Sequence, residues 1–401
     1  MNRPERVAIR PEFARWMGQT NDVTQIFLSA GQVPDLINMA GGLPEPGLWP
    51  VEEIAALAAA AVTDSPGAAL AYSPIEGLPA LRDEIARRFS TDTLILSRDN
   101  VLVTTAGMQA LDLIGKVLID AGQTVATQTP AYLGAFDAWR PRQPLYRALP
   151  MTDPAPAMRG AQFAYTVPNF SNPTGRLVDL AGRQRLVAAA QDTGCWLVED
   201  DPYGTLYYDN APLPRMISLA GDGRPYDGPV IYLGTLSKEL APGFRIGWVI
   251  AAPEMIRALT MAKQGSDMCT SGLCQAIALR AFRDGLPERM LPEMLALYRA
   301  RRDALLQAME QHLSGVLEWE RPEGGMFVWA TGRDPALDTD LLLRHALDHG
   351  VCVTPSSVFD PEGRDRRSIR INFTLNAPEK LMEGTRRLAA AVEATLARRN
   401  G

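Results

Sequence analysis

Histidine and cysteine are scarce, with three and four in 401 residues. His345 and His349 sit four apart on an apparent helix, yet neither an HExxH motif nor a third ligand accompanies them or His312. No metal centre is expected, and the pair is read as surface or core edge. Cys195, Cys269, Cys274 and Cys352 show no CxxC spacing and no disulfide framework, and read as buried thiols. Long apolar runs are missing too: the longest, Ile54 to Val62, is Ala-rich and far short of the ~20 residues that cross a bilayer. The start, MNRPERVAIRPEFARW, lacks an apolar signal core, so a cytoplasmic location is expected and no membrane partner. Positive charge is not in excess. A net charge of −6 gives nothing to neutralise a duplex, and nucleic acid is not an expected partner. Neither GxxxxGK[ST] nor a strand-to-helix GxGxxG occurs, so nucleoside triphosphates and dinucleotides lose support.

What is present is an ordinary globular composition, 46% hydrophobic and 21% charged, which excludes disordered and fibrous classes. Between about residues 95 and 250, short β-rich runs alternate with helical patterns: VLVTT (101–105), TVAT (124–127), FAYTV (163–167), CWLVE (195–199), VIYLG (230–234) and IGWVI (246–250). Nearly all-apolar strands separated by helices predict an α/β fold whose sheet is mainly parallel and covered on both faces. GMQALDLIGKVLID places Leu111, Ile114 and Leu118 on one helical face, and a second crossover helix stops at Gly194. A long helix near 286–312 leads into GMFVWA (325–330), a helix over 337–349, VCVT (351–354), SIRINF (368–373) and a final helix near 378–397. The expected division is an N-terminal arm with part of a small domain (1–50), a large domain (51–290) and a small αβ domain (291–401). Arginine clusters at 299–302 and 364–367 read as solvated surface.

In an open parallel sheet, ligands bind beyond the carboxyl ends of the strands. Three strand ends are unusual here. VLVTT runs into Ala106-Gly107 and a helix start, CWLVE into Asp200-Asp201-Pro202-Tyr203, and VIYLG into Thr235-Leu236-Ser237-Lys238. Taken singly, each has a plain reading: a tight turn, an acidic turn cap before proline, a surface lysine. NPTG at Asn172 to Gly175 reads first as a loop. Together they offer an anion-binding helix terminus, a carboxylate and a lysine flanked by hydroxyls. That set fits pyridoxal 5'-phosphate, whose aldehyde takes a lysine and whose ring nitrogen takes an acid.

Laid out in this order, the chain resembles the fold-type I pyridoxal-phosphate aminotransferases of class I/II, nearest to the 2-aminoadipate/kynurenine aminotransferase branch. The resemblance rests on AGGLPEPGLWP (40–50), YSPIEGLPALR (72–82), TPAYLGAF (129–136), PNFSNPTG (168–175), VEDDPYG (198–204), LGTLSKELAPGFRIGW (233–248), PEGGMFVW (322–329) and SIRINF (368–373). It implies a large domain with a seven-stranded, mainly parallel sheet between helices, plus a smaller αβ domain. It also implies roles. Lys238 holds the cofactor covalently and moves the substrate's α-proton, and Asp200 partners the ring nitrogen, with Asp201 the poorer choice. Tyr203 and Asn172 meet the phenolic oxygen, and Tyr132 stacks on the ring. The Gly107 and Met108 amides, Thr235, Ser237 and Arg245 take the phosphate, and Tyr72 reaches it from a neighbouring subunit, which implies a homodimer. Arg370 clamps the substrate α-carboxylate, with Asn172 beside it and Gly42 offering backbone contact.

The chain departs from the pattern in two places. Where relatives commonly read TTGSQQAL, it reads TTAGMQAL (104–111), so Gly107 stands in place of a phosphate-binding serine. Some 2-aminoadipate enzymes carry an arginine in an N-terminal segment, whereas Gln19 to Val33 here contains no Arg or Lys, so the resemblance does not extend to an acidic substrate side chain. The expected activity is ping-pong transfer of an amino group from an amino acid to a 2-oxo acid, with 2-oxoglutarate as acceptor by family habit. A lyase or decarboxylase on the same fold is the nearest rival. A cofactor-sensing regulator is the more distant one, since no basic helix-turn-helix precedes AGGLP.

Overall fold

A computed structural model describes residues 12–19 and 34–397. Its centre is a seven-stranded sheet: β1 (Val101–Thr104), β2 (Thr124–Thr127), β3 (Leu145–Ala148), β4 (Phe163–Thr166), β5 (Trp196–Asp200), β6 (Val230–Thr235) and β7 (Gly247–Ile250), in the spatial order β1-β7-β6-β5-β4-β2-β3. Every pair from β6 outward to β3 is parallel. β7, between β1 and β6, runs antiparallel to both. The apolar runs are strands because both faces are covered. Alternate residues enter different cores: Phe163, Tyr165 and Val198 pack on one side, Ala164 and Leu197 on the other. β3 is the strand that the sequence does not announce, since LYRA lies at the sheet edge with three of its four residues exposed.

The crossover helix α1 (Ala106–Leu118) buries Ala110, Leu111, Leu113 and Ile114, with Leu118 half-buried. α2 (Leu180–Thr193) begins at Asp179, whose carboxylate accepts from the Gly182 amide at 2.7 Å, and ends at Gly194 with φ +68°, where glycine is favoured. A second sheet of four antiparallel strands, β8 (Leu317–Trp319), β9 (Phe327–Gly332), β10 (Thr354–Pro355) and β11 (Ser368–Asn372), has the order β10-β11-β9-β8. α3 (Pro253–Gln264) precedes the long α4 (Leu286–Leu313), and α5 (Pro378–Ala397) packs against α4.

Three expectations need correcting. VCVT is not one strand: Val351–Cys352 pairs in parallel with Ile37–Asn38, while Thr354–Pro355 pairs with β11. The segment is claimed from two sides, and the first pairing ties the described part of the N-terminal arm to the small domain. The 299–302 cluster is not uniformly solvated. Arg299 is exposed, but Arg301 pairs with Glu45 at 2.6 Å, and the fully buried Arg302 pairs with Asp209 at 2.6 Å with its guanidinium over Tyr208. Cys195 and Cys352 are buried as read, but Cys269 and Cys274 are half-buried. His345 is a buried core-edge residue whose Nδ1 lies 2.9 Å from Thr395 Oγ1.

Candidate active site

Strand geometry decides which of two adjacent acids faces the cleft. Asp200 ends β5 with the parity of Val198 and so emerges on the face covered by α1. It is buried, and its Oδ2 accepts from the Tyr165 hydroxyl at 2.7 Å. Asp201 turns to other partners: Asn169 donates to it at 2.6 Å, Tyr232 at 3.1 Å, and Arg215 lies at 3.4 Å. Burial pushes the Asp200 carboxyl up to about 7, with the Tyr165 hydrogen bond opposing and Asp201 adding to the rise.

Lys238 follows β6 by three residues and projects into the same cavity of 360 Å³. Its Nζ donates to the Gly42 carbonyl at 2.5 Å. Burial brings its pKa down to about 8, with Arg370 and Arg245 contributing. Gly42 cannot carry a side chain, because a Cβ there would sit 2.8 Å from Phe327. Arg370, in the centre of β11, is buried between the rings of Phe327 and Phe359, 4.3 and 4.9 Å from their centroids. Its Nη1 donates to Asn172 Oδ1 at 2.6 Å, Nη2 donates to the Ala40 carbonyl, and Nε has no partner among the described residues. Burial lowers its pKa to about 10.

At the other end, Thr235 Oγ1 donates to Ser237 Oγ at 2.9 Å and accepts from the Ser237 amide at 3.1 Å. Arg245 is exposed, held at φ +52°, with Nη1 donating to Pro242 O at 3.2 Å. The cavity there is bounded by the first turn of α1, where Ala106 has φ +62°, and a Cβ on Gly107 would meet nothing within 4 Å. The first amides of a helix lack intrahelical acceptors, so this turn presents free donors to an anion. Tyr132 and Tyr203 complete the walls, and burial raises both hydroxyls above their ordinary value.

Every site residue read from the sequence therefore lines one cavity except Tyr72, which lies outside it and is 87% exposed. Sequence reasoning missed Tyr165, Phe327 and Phe359, which touch Asp200 and Arg370. It also missed the apolar wall of Leu111, Leu133 and Val167. Tyr165 has the only available signal, a strand position next to β5, but sequence does not say which face it takes. A larger cavity of 510 Å³ between residues 133–146 and 357–363 shares only Leu133 with this one and contains none of the predicted site residues.

The donor set fits pyridoxal phosphate. Three cations, Lys238, Arg245 and Arg370, face one buried acid. This excess suits a ligand bringing a phosphate and a substrate bringing a carboxylate, and it leaves one amine and one acid for the aldehyde and the ring nitrogen.

The comparisons with known proteins agree. The profile of the family aminotransferase class I and II matches residues 34–388. The aromatic-amino-acid aminotransferase 1 of Thermococcus litoralis is 36% identical over 90% of this chain and 89% of that one. The 2-aminoadipate transaminase of Thermus thermophilus is 36% identical over 92% and 93%. Among solved structures, the alpha-aminoadipate aminotransferase of T. thermophilus, complexed with N-(5'-phosphopyridoxyl)-L-leucine, superposes with a TM-score of 0.85 at 33% identity, covering 96% of this chain and 98% of that one. The chain belongs to the class I and II aminotransferases.

Proposed function

We propose that this aminotransferase uses the residues of the 360 Å³ cavity to move an amino group from an amino acid with an uncharged side chain to a 2-oxo acid, 2-oxoglutarate being the proposed acceptor. The observation that carries this reading is the meeting of Lys238, Asp200, Arg245 and Arg370 in one cleft. Its cofactor, pyridoxal phosphate, supplies an aldehyde that takes the amine and a ring that accepts electrons from the substrate carbon.

Lys238 would hold that aldehyde, and its Nζ, eased toward the neutral form by burial and two arginines, takes and returns the substrate's α-proton. Asp200, oriented by Tyr165, would hold the ring nitrogen's proton, and a cation there draws its carboxyl back toward the ionised form. Tyr203 and Asn172 would donate to the phenolic oxygen, and Tyr132 would stack on the ring. The Gly107 and Met108 amides, Thr235, Ser237 and Arg245 would bind the phosphate. Arg370 grips the α-carboxylate through its planar fork, which fixes the Cα–H bond relative to Lys238. With Gly42 its neighbour, no side chain obstructs the substrate backbone.

The uncharged donor follows from the walls. Leu111, Leu133 and Val167 are apolar, and the three cations lining the cavity already have roles. Homodimerisation with Tyr72 crossing to the partner's phosphate is part of the reading. It is supported by a solvent-facing apolar surface at Val51 (68% exposed), Leu70 (66%) and Tyr72 (87%). The division into 1–50, 51–290 and 291–401 and a cytoplasmic location also belong to this reading. Among the described residues, no helix is long and apolar enough to cross a membrane.

The test is a donor panel with 2-oxoglutarate or pyruvate as acceptor, following oxo-acid formation. Turnover should require an acceptor and disappear in Lys238→Ala, falling at least about 10³-fold. Ammonia or carbon dioxide released without acceptor would replace transfer with elimination or decarboxylation.

A further inference from the structure

Behind the phosphate end of the cleft lies an ionic network, buried at its lysine and exposed at its carboxylate, that the reaction itself does not use. Lys263, at the end of α3, is fully buried and donates to Asp267 Oδ1 at 2.5 Å. The other oxygen of Asp267 accepts from Thr105 Oγ1 at 2.9 Å. Thr105 Oγ1 also lies 3.3 Å from Thr270 Oγ1, and the Thr105 amide donates to Gln109 Oε1 at 2.8 Å. None of Lys263, Asp267 and Thr105 lines the cavity. Thr105 is the residue immediately before α1, and next comes Ala106 in the left-handed region, unfavourable for an L-residue by roughly 1–2 kcal/mol. Ala106 is also wedged against the sheet: a Cβ on Gly247 would lie 2.8 Å from its carbonyl carbon. Such a conformation persists only when its surroundings over-determine it. An ion pair with one partner reaching solvent contributes little net stability of its own, which suits a part kept for geometry.

We propose that Lys263 and Asp267 are positioning residues for the cofactor's phosphate: through Thr105 they hold the left-handed turn at Ala106 that aims the Gly107 and Met108 amides into the cleft. The hydrogen bonds from Lys263, Gln109 and Thr105 hold the Asp267 carboxyl below its ordinary value against the effect of partial desolvation, so the anchor stays charged. The inference rests on the reading that those amides and Arg245 meet the phosphate.

The experiment compares dissociation constants of the cofactor-free protein for pyridoxal phosphate and for pyridoxal, which lacks the phosphate, by absorbance titration. Thr105→Val and Lys263→Met should weaken pyridoxal phosphate by about tenfold and leave pyridoxal within about twofold, while Thr105→Ser, which keeps the hydroxyl, should bind as the native chain does. Equal weakening of both ligands would make the network a general structural support and overturn the proposal. Arg245→Gln tests the underlying reading separately. If it loses phosphate-dependent affinity and the network variants do not, the proposal fails and the reading stands. If Arg245→Gln binds both ligands normally, the reading fails and the proposal falls with it. Should Lys263→Met not fold, the Thr105→Val and Thr105→Ser pair decides the matter.

Discussion

The two ends of the cleft are built by different means. At the carboxylate end, Arg370 is buried between two aromatic rings, with Asn172 and the Ala40 carbonyl taking its outer nitrogens. Its fork is fixed by side-chain packing. At the phosphate end, Arg245 is exposed and, among the described residues, holds only a neighbouring carbonyl, while the surrounding donors are backbone amides, two hydroxyls and a left-handed turn. On the proposed assignment, the first end would discriminate among substrates that come and go, so its geometry must exist before they arrive. The second would hold one group continuously and can rely on charge and main-chain dipoles.

This contrast predicts where substitution costs most. Arg370→Lys keeps the charge but loses the planar fork, and kcat/KM for amino donors should fall about 100-fold with cofactor affinity unchanged; steady-state kinetics at saturating cofactor decide it. If lysine served equally well, the carboxylate end would not be the rigid one. Arg245→Gln should show the reverse pattern: about tenfold weaker cofactor binding and, once saturated, donor KM within about twofold.

A third effect, on stability rather than on binding, concerns Asp200, between the two ends. Its carboxyl stands at about 7 in the folded cofactor-free protein against an ordinary value of 3.8. The native state thus holds a proton that the unfolded chain gives up between those values, so the group's favourable contribution is present below pH 3.8 and lost as pH rises to 7. Urea unfolding of cofactor-free Asp200→Asn should show it level with the native chain near pH 4 and more stable, by an amount on the order of a few kcal/mol at most, at pH 7 and above. Activity should fall in the same variant. Equal stability of the two at all pH values would mean that the carboxylate is already well solvated.

Much of this was legible in the sequence, for physical reasons. A parallel sheet buried on both faces leaves apolar runs, and its ligands gather at strand ends, so Gly107, Asp200 and Lys238 could be placed on one rim before any coordinates. Other features leave no such trace. β3 is an exposed edge strand and lacks the apolar signature. Arg301 and Arg302 read as solvent-facing because charge pattern does not reveal an opposing Glu45 or Asp209. Phe327 and Phe359 look like ordinary core, and only the fold shows that an arginine lies between them.

The pairing of Ile37–Asn38 with Val351–Cys352 carries a consequence for biosynthesis. Gly42, whose carbonyl receives Lys238, belongs to a segment that leaves the ribosome early, yet its neighbours on the small sheet are translated some three hundred residues later. The large sheet can assemble while synthesis continues, but the cleft cannot close until the last strands emerge. A nascent chain halted before residue 351 would therefore have Lys238 in place and still lack Arg370 and the strand that positions it.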